Sequence, residues 1–270
     1  MTDLVIDTHV HVAIEDCEKY PRAEAPPFET PDYVNPTESF LRLMDDAGVT
    51  HATIVQPFGL YGSDNSYHAD SAAAHPGRLR AVCGLSPSPT APDDLRRWVK
   101  ARGMSALRLN TRGEKGGLLN PHVAPMLEEA SALGVPITIM MSHRHIENAR
   151  KLAEQFPRVA LALDHLGGAQ PDVEDSFARL EQLAAADNIH LKVSTNQIIA
   201  PGGVERILRL LGAFGANRIM WGTNYPVTDL GGYSATVRAA TQALAGLPPA
   251  ERAGLMGRAA LQLWPDLKPA

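Results

Sequence analysis

Eight times along its 270 residues the chain repeats one unit, a short apolar or β-branched run followed by a longer amphipathic segment, and this alternation restricts the fold more than any other feature. A strand that feeds a helix must return to a parallel neighbour, so the repeat predicts a parallel sheet wrapped by helices. The runs fall at 4–12, 51–57, 79–85, 104–110, 135–141, 159–165, 189–194 and 218–223, and each leaves room for a helix before the next. Their continuous apolar character suits strands covered on both faces, which favours a closed barrel over an open, doubly wound sheet. The expected fold is α/β, a (β/α)8 TIM barrel forming a single domain over 1–270.

Helical spacing is legible in Phe40, Leu43, Met44 and Ala47, and again in Val204, Ile207, Leu208 and Leu211. Gly48, Gly134 and Gly215 each follow such a segment, where a left-handed residue ends a helix, and a strand begins soon after. Connections into strands are therefore short. The stretch 13–36 after the first strand is long and carries Pro21, Pro26, Pro27, Pro31 and Pro36, which reads either as an irregular surface excursion or as a lid. Long loops at one end and short ones at the other place chemistry at the C-terminal ends of the strands.

Composition narrows the partners. The net charge is -5, and Lys and Arg are interspersed with acids, which argues against nucleic acid and anionic membrane. Neither a Gly-x-Gly-x-x-Gly turn nor a Walker phosphate loop occurs, so no nucleotide cofactor is implied. No apolar run approaches the roughly 18 residues that span a bilayer, and no signal-like segment precedes the first strand. Cys17 and Cys83 match no metal or redox spacing and are expected to be unpaired, as in a reducing compartment. The expectation is a cytoplasmic protein with a small-molecule substrate, its oligomeric state not legible.

Alternate residues of a strand share a face, so His9 and His11 should project together into the barrel, an arrangement apt for two ligands on one metal. His165 closes the sixth run in Ala162-Leu163-Asp164-His165-Leu166-Gly167-Gly168, where an apolar strand abruptly delivers polar groups and a glycine turn. Strand five delivers Ser142-His143-Arg144-His145; either His143 or His145 faces the site, or both open the following helix. Arg108, between Leu107 and Leu109, is costly to bury without an anion, which is either a substrate carboxylate or an acid of the barrel. Asn110, Arg144, Gln56 and Tyr225 join it as candidate substrate contacts, with Lys192 and Ser194 in supporting positions. Asn224 follows strand eight at the height of the other strand-end polar residues.

Ile6-Asp7-Thr8-His9-Val10-His11, Asp164-His165-Leu166-Gly167 and Trp221-Gly222-Thr223-Asn224-Tyr225-Pro226, taken in order, resemble the amidohydrolase superfamily in its lactonase branch, over the whole chain. The resemblance implies a hydrolase in which activated water attacks a lactone carbonyl, and a divalent metal, zinc before others, at His9, His11 and His165. Some members of the branch work without a firmly bound metal. It further implies a strand-eight carboxylate that takes the water's proton, whereas this chain carries Asn224, which has no comparably basic oxygen. Three accounts are open: an Asp-to-Asn exchange that traps substrate, a natural variant with another base, and a silent binding protein. The first predicts that Asn224→Asp raises hydrolysis by about 100-fold to 10,000-fold. Asp229 is the nearby acid that could substitute, and decarboxylation of an aromatic or unsaturated acid is the other chemistry such a site supports.

Overall fold

A computed structural model describes residues 4–15, 17–24, 32–111, 116–171, 173 and 175–267. Among them, β1 (Ile6–Val10), β2 (His51–Val55), β3 (Leu79–Leu85), β4 (Ala106–Asn110), β5 (Ile137–Met140), β6 (Leu161–Leu163), β7 (Ile189–Ser194) and β8 (Ile219–Gly222) form one parallel sheet in sequence order. Helices fill the crossovers, namely α1 (Thr37–Ala47), α2 (Phe58–Tyr61), α3 (Ser66–Ala74), α4 (Ala91–Arg102), α5 (Val123–Leu133), α6 (Ile146–Gln155), α7 (Ser176–Gln182), α8 (Thr195–Ile199) and α9 (Gly203–Phe214), and α10 (Tyr233–Ala243) and α11 (Pro249–Met256) follow β8. This is the expected TIM barrel. The strands are shorter than the apolar runs suggest, because pairing stops where the chain leaves the barrel wall; the sixth ends at Leu163 rather than His165.

Gly48 and Gly134 end α1 and α5 in the left-handed conformation, at φ 71° and 69°. Leu208, which the spacing places on the buried face of α9, is instead 45% exposed, and Leu210 packs inward. Cys17 and Cys83 are unpaired. The 13–36 loop is pinned at its base, where Ala13 and Asn35 exchange backbone hydrogen bonds of 3.0 and 2.8 Å; Pro26, Pro27 and Pro31, on which the lid reading leans, lie outside the described residues.

Two cores share the strands between them. Leu107, Leu109, Ile137, Ile139, Leu161, Leu163, Leu191 and Val193 point outward into the layer beneath the helices. Ile6, Val55, Val82, Ala106, Ala162 and Met220 point into the lower lumen, where Leu263, Trp264 and Leu267 of the C-terminal segment pack against them as a plug. Gly257 makes that crossing possible, since a Cβ there would fall 2.3 Å from the carbonyl oxygen of Leu4.

β1 carries the feature that decides where its histidines point. Ile6 pairs with His51 and Asp7 with Ala52, but Val10 pairs with Ile54, so β1 holds one extra residue after Asp7. Strict alternation from the lumen-facing Ile6 would put Val10 inside and both histidines outside. The bulge inverts this: Val10 joins the outer core, while His9 and His11 turn to the lumen.

The seam between β8 and β1 is joined by individual bonds. Thr8 Oγ1 donates to Trp221 O at 2.8 Å, Asn224 N to His9 O at 2.7 Å and His11 N to Tyr225 O at 2.8 Å. Asp7 faces outward and accepts from His9 N, Thr223 N, Thr223 Oγ1 and Tyr233 Oη at 2.6–3.1 Å. Gly222 permits the close approach, because a Cβ there would stand 2.6 Å from that of His9.

Candidate active site

Above the apolar floor the lumen turns polar, and its centre is Asp164, the residue after β6. Its Oδ2 accepts from Arg108 Nε at 2.9 Å, while Oδ1 faces His9 Nδ1 at 3.5 Å and Lys192 Nζ at 3.6 Å. All four residues are buried. Burial alone would raise the Asp164 carboxyl, yet Lys192, His9 and Arg108 hold it well below the ordinary carboxylate range. Burial pulls the Lys192 ammonium down to about 8 against the stabilising pull of Asp164.

Two cations thus face one carboxylate. Of the two partners open to Arg108, the structure supplies the barrel acid, with Nη2 lying 3.3 Å from Met140 Sδ. The 3.5–3.6 Å separations are long for hydrogen bonds. Among the described residues, Asp164 Oδ1, Lys192 Nζ and both ring nitrogens of His9 are accordingly buried with charged neighbours but no hydrogen-bond partner. Orphaned polar atoms are expensive in a protein interior, so their concentration at one spot marks a place built for a ligand.

Three imidazoles surround this spot. The His9 ring lies 5.0 Å from that of His11 and 4.7 Å from that of His165, centroid to centroid. His11 Nδ1 sits 2.7 Å from Val55 O, and a carbonyl only accepts, so Nδ1 carries the hydrogen and Nε2 the lone pair. Burial, reinforced by the Arg108 charge, lowers His11 to about 3; burial takes His9 well below its ordinary value despite Asp164. Both are neutral near pH 7.

His165 sits past the strand in a left-handed turn. His165, Leu166, Gly167 and Gly168 have φ of 52°, 54°, 61° and 71°. Glycine is required at the end of this run, since a Cβ on Gly168 would lie 2.9 Å from Met141 O. The two residues with side chains cost about 1–3 kcal/mol each in this region. Ser194 Oγ stands 2.5 Å from His165 Nδ1, and Gln197 Nε2 donates to His165 O at 2.9 Å.

Asn224 is half-buried at the seam with φ 60°, a conformation that Asn and Asp tolerate well, and its Nδ2 donates to Thr228 Oγ1 at 3.2 Å. The neighbouring acids are committed elsewhere. Asp7 spends four bonds on the seam, and burial raises it to about 6 against those donors. Asp229 is exposed and its Oδ1 accepts from Gly231 N at 3.0 Å and from Gly232 N, which makes it a turn residue.

The remaining candidates spread around the mouth. Asn110 is buried on β4. Gln56 Nε2 donates to Gly62 O and Asp64 O at 2.8 and 2.9 Å, which ties down the loop after α2. Tyr225 is half-buried, its ring 5.4 Å from Tyr233. His143, Arg144 and His145 form a 3-10 turn leading into α6; Arg144 is exposed, and His145 Nδ1 lies 3.1 Å from Asn148 Nδ2. Asp164 was visible only as part of a motif, although its alternation with Ala162 puts it in the lumen; Lys192 alternates likewise with Ser194. Tyr33 was missed, because no periodicity marks a loop residue. Burial raises its phenol, with Arg108 pulling it back, and its hydroxyl is fully enclosed.

The amidohydrolase family profile matches residues 6–265. A 4-sulfomuconolactone hydrolase of Hydrogenophaga intermedia is 26% identical over 237 residues, 82% of this chain and 74% of that protein. An L-fucono-1,5-lactonase of Burkholderia ambifaria is 28% identical over 207 residues, 71% of this chain and 70% of that one. Among solved structures, a probable 2-pyrone-4,6-dicarboxylic acid hydrolase from Acinetobacter baumannii with citric acid bound superposes with TM-score 0.78 at 20% identity, covering 98% and 100% of the two chains. An amidohydrolase from Burkholderia multivorans with bound zinc does so with TM-score 0.76 at 19% identity, covering 97% and 99%.

Proposed function

Because the chain belongs to the amidohydrolase family, we propose that it is a hydrolase opening a small carboxylated lactone, and the observation that carries the proposal is the Asp164 carboxylate lying behind His9 in a cationic lumen. Two relatives over most of the chain are lactone hydrolases by name, which supports the reaction class. The excess of Arg108 and Lys192 over Asp164 supports an anionic substrate.

In this reading the substrate carboxylate is drawn toward Arg108 and Lys192, which sets the ring carbonyl above the imidazoles. A water molecule gives one hydrogen bond to His9 Nε2 and the other to His165. Its oxygen bonds to the carbonyl carbon as His9 takes one proton, and the new imidazolium faces Asp164. The tetrahedral oxyanion is stabilised by the lumen cations. When the carbon to ring-oxygen bond breaks, His9 returns the proton to the leaving alkoxide, so the products are a carboxylate and an alcohol, with one proton released. Asn224 contributes an amide at the mouth in place of a base.

Metal dependence is typical of the family. The side chains here do not fit a resident dication. Among the described residues, no group of three or more His, Cys, Asp or Glu side chains is placed to hold one. Lys192 and Arg108 bring positive charge against His9 and His11, and position 224 offers a neutral amide. The proposed steps therefore use the chain's own groups.

Turnover of a panel of five- and six-membered lactones, with and without a carboxylate, tests the proposal. Hydrolysis of the carboxylated members, lost by about 100-fold or more in His9→Ala, is the expected result. Carbon dioxide release from aromatic acids, or binding of lactones without turnover, would replace the reading with decarboxylation or a binding role.

A further inference from the structure

α8 opens with a capping box that does more than cap. Ser194 is its N-cap, Ser194 Oγ accepts the Gln197 backbone N–H, and Ser194 N donates to Gln197 Oε1 at 3.1 Å. Such a box ordinarily satisfies two helix-end donors and involves nothing else. Here both side chains reach on to the residue after Asp164: Gln197 Nε2 donates to His165 O at 2.9 Å, and Ser194 Oγ lies 2.5 Å from His165 Nδ1 and 3.2 Å from Gln197 Oε1.

The hydroxyl has one hydrogen to place. If it went to His165 Nδ1, the contact between Ser194 Oγ and Gln197 Oε1 would set two oxygens together with no proton between them. If instead His165 Nδ1 carries the hydrogen, Ser194 Oγ accepts from Nδ1 and from the Gln197 amide, then donates its own hydrogen to Oε1. Only the second arrangement puts a proton in each of these Ser194 contacts. Gln197 also holds the carbonyl of a residue whose left-handed backbone, at φ 52°, is costly to maintain.

We infer that Ser194 and Gln197 are positioning residues that fix His165 as the Nδ1–H tautomer, with the lone pair on Nε2. The tautomer needs only the Oε1 acceptor, while the Nε2 donor separately ties down the His165 carbonyl. Glutamate would cap the helix and accept from Ser194 equally well, but has no donor for His165 O. The kinetic consequence rests on the lactone-opening proposal; the tautomer does not.

Long-range 1H–15N NMR on 15N-histidine-labelled protein reads the tautomer without substrate. Wild type and Gln197→Glu are expected in the Nδ1–H form. In Gln197→Met the hydroxyl loses its acceptor and turns to Nδ1, so His165 should switch to the Nε2–H form. On a lactone that wild type turns over, Gln197→Met should lose about 10-fold to 100-fold in kcat with KM little changed, and Gln197→Glu, which keeps the acceptor but not the donor to His165 O, should lose less. An Nε2–H form in wild type, or no switch in a folded Gln197→Met protein, overturns the inference whatever the activity. A tautomer that follows Gln197 in a protein opening no lactone leaves it standing and removes only the substrate reading.

Discussion

Oδ1 of Asp164 and Nδ1 of His9 face each other at 3.5 Å across the lumen, the carboxylate anchored from its other oxygen by Arg108. Asp164→Asn keeps the shape and removes the charge that steadies a protonated His9. It also strands Arg108 and Lys192. Urea unfolding should show a loss of about 3–5 kcal/mol, the cost of breaking a buried ion group from one side. In the folded fraction kcat should fall as well, and an unchanged kcat would detach Asp164 from proton transfer.

Asn224→Asp sorts the accounts of the strand-eight residue. With His9 as base, a carboxylate at 224 should change kcat/KM by less than about 10-fold. A gain of about 100-fold to 10,000-fold would return the base role to strand eight.

Lys192 predicts a pH dependence. Its ammonium titrates at about 8 in the folded protein, below the ordinary lysine value of 10.5, so the charge is present below that pH and lost as pH rises through it. The lumen then loses one of its two cations while Asp164 stays ionised. For a carboxylated lactone KM should rise across this range, after subtraction of spontaneous hydrolysis, and Lys192→Gln should flatten the profile. A wild-type KM that stays constant from pH 7 to 9 would count against Lys192 as part of the anion site.

Gly222→Ala tests the seam. A Cβ 2.6 Å from that of His9 must push β1 aside, at a cost of about 1–3 kcal/mol by thermal or urea unfolding. Because the displaced residue is the proposed base, kcat should fall more than the loss of stability alone would suggest. Retained kcat would show that the site tolerates a shifted His9.

Prolonged dialysis against a strong chelator should leave activity within about twofold, because the lumen cations take the charge-stabilising part that a dication would otherwise supply. Loss of activity restored by added zinc would show that the imidazoles rearrange around a metal.

Much of the fold was legible because a repeated strand-and-helix unit has few ways to pack. Gly48 and Gly134 stop helices as their spacing implies. The site was legible in its address more than in its wiring. His9 and His11 do face the lumen together, yet only through a bulge that no composition rule foretells. Counting by twos from Ile6 would have sent them outward. Arg108 announced its need for an anion, but Asp164 answers it from 56 positions away, a pairing set by strand order in space. The links from Ser194 and Gln197 to His165 likewise depend on a left-handed turn whose cost no local propensity favours.

Among the described residues, the plug of Leu263, Trp264 and Leu267 closes the lower end of the lumen. In the lactone-opening reading, substrate and product then both pass the upper end. Under the lactone-opening proposal, ring opening adds a carboxylate to the molecule, so Arg108 and Lys192 should hold the departing acid more firmly than the incoming lactone. Competition from its own product is then the expected behaviour, and turnover at high conversion should be governed by how fast the doorway clears.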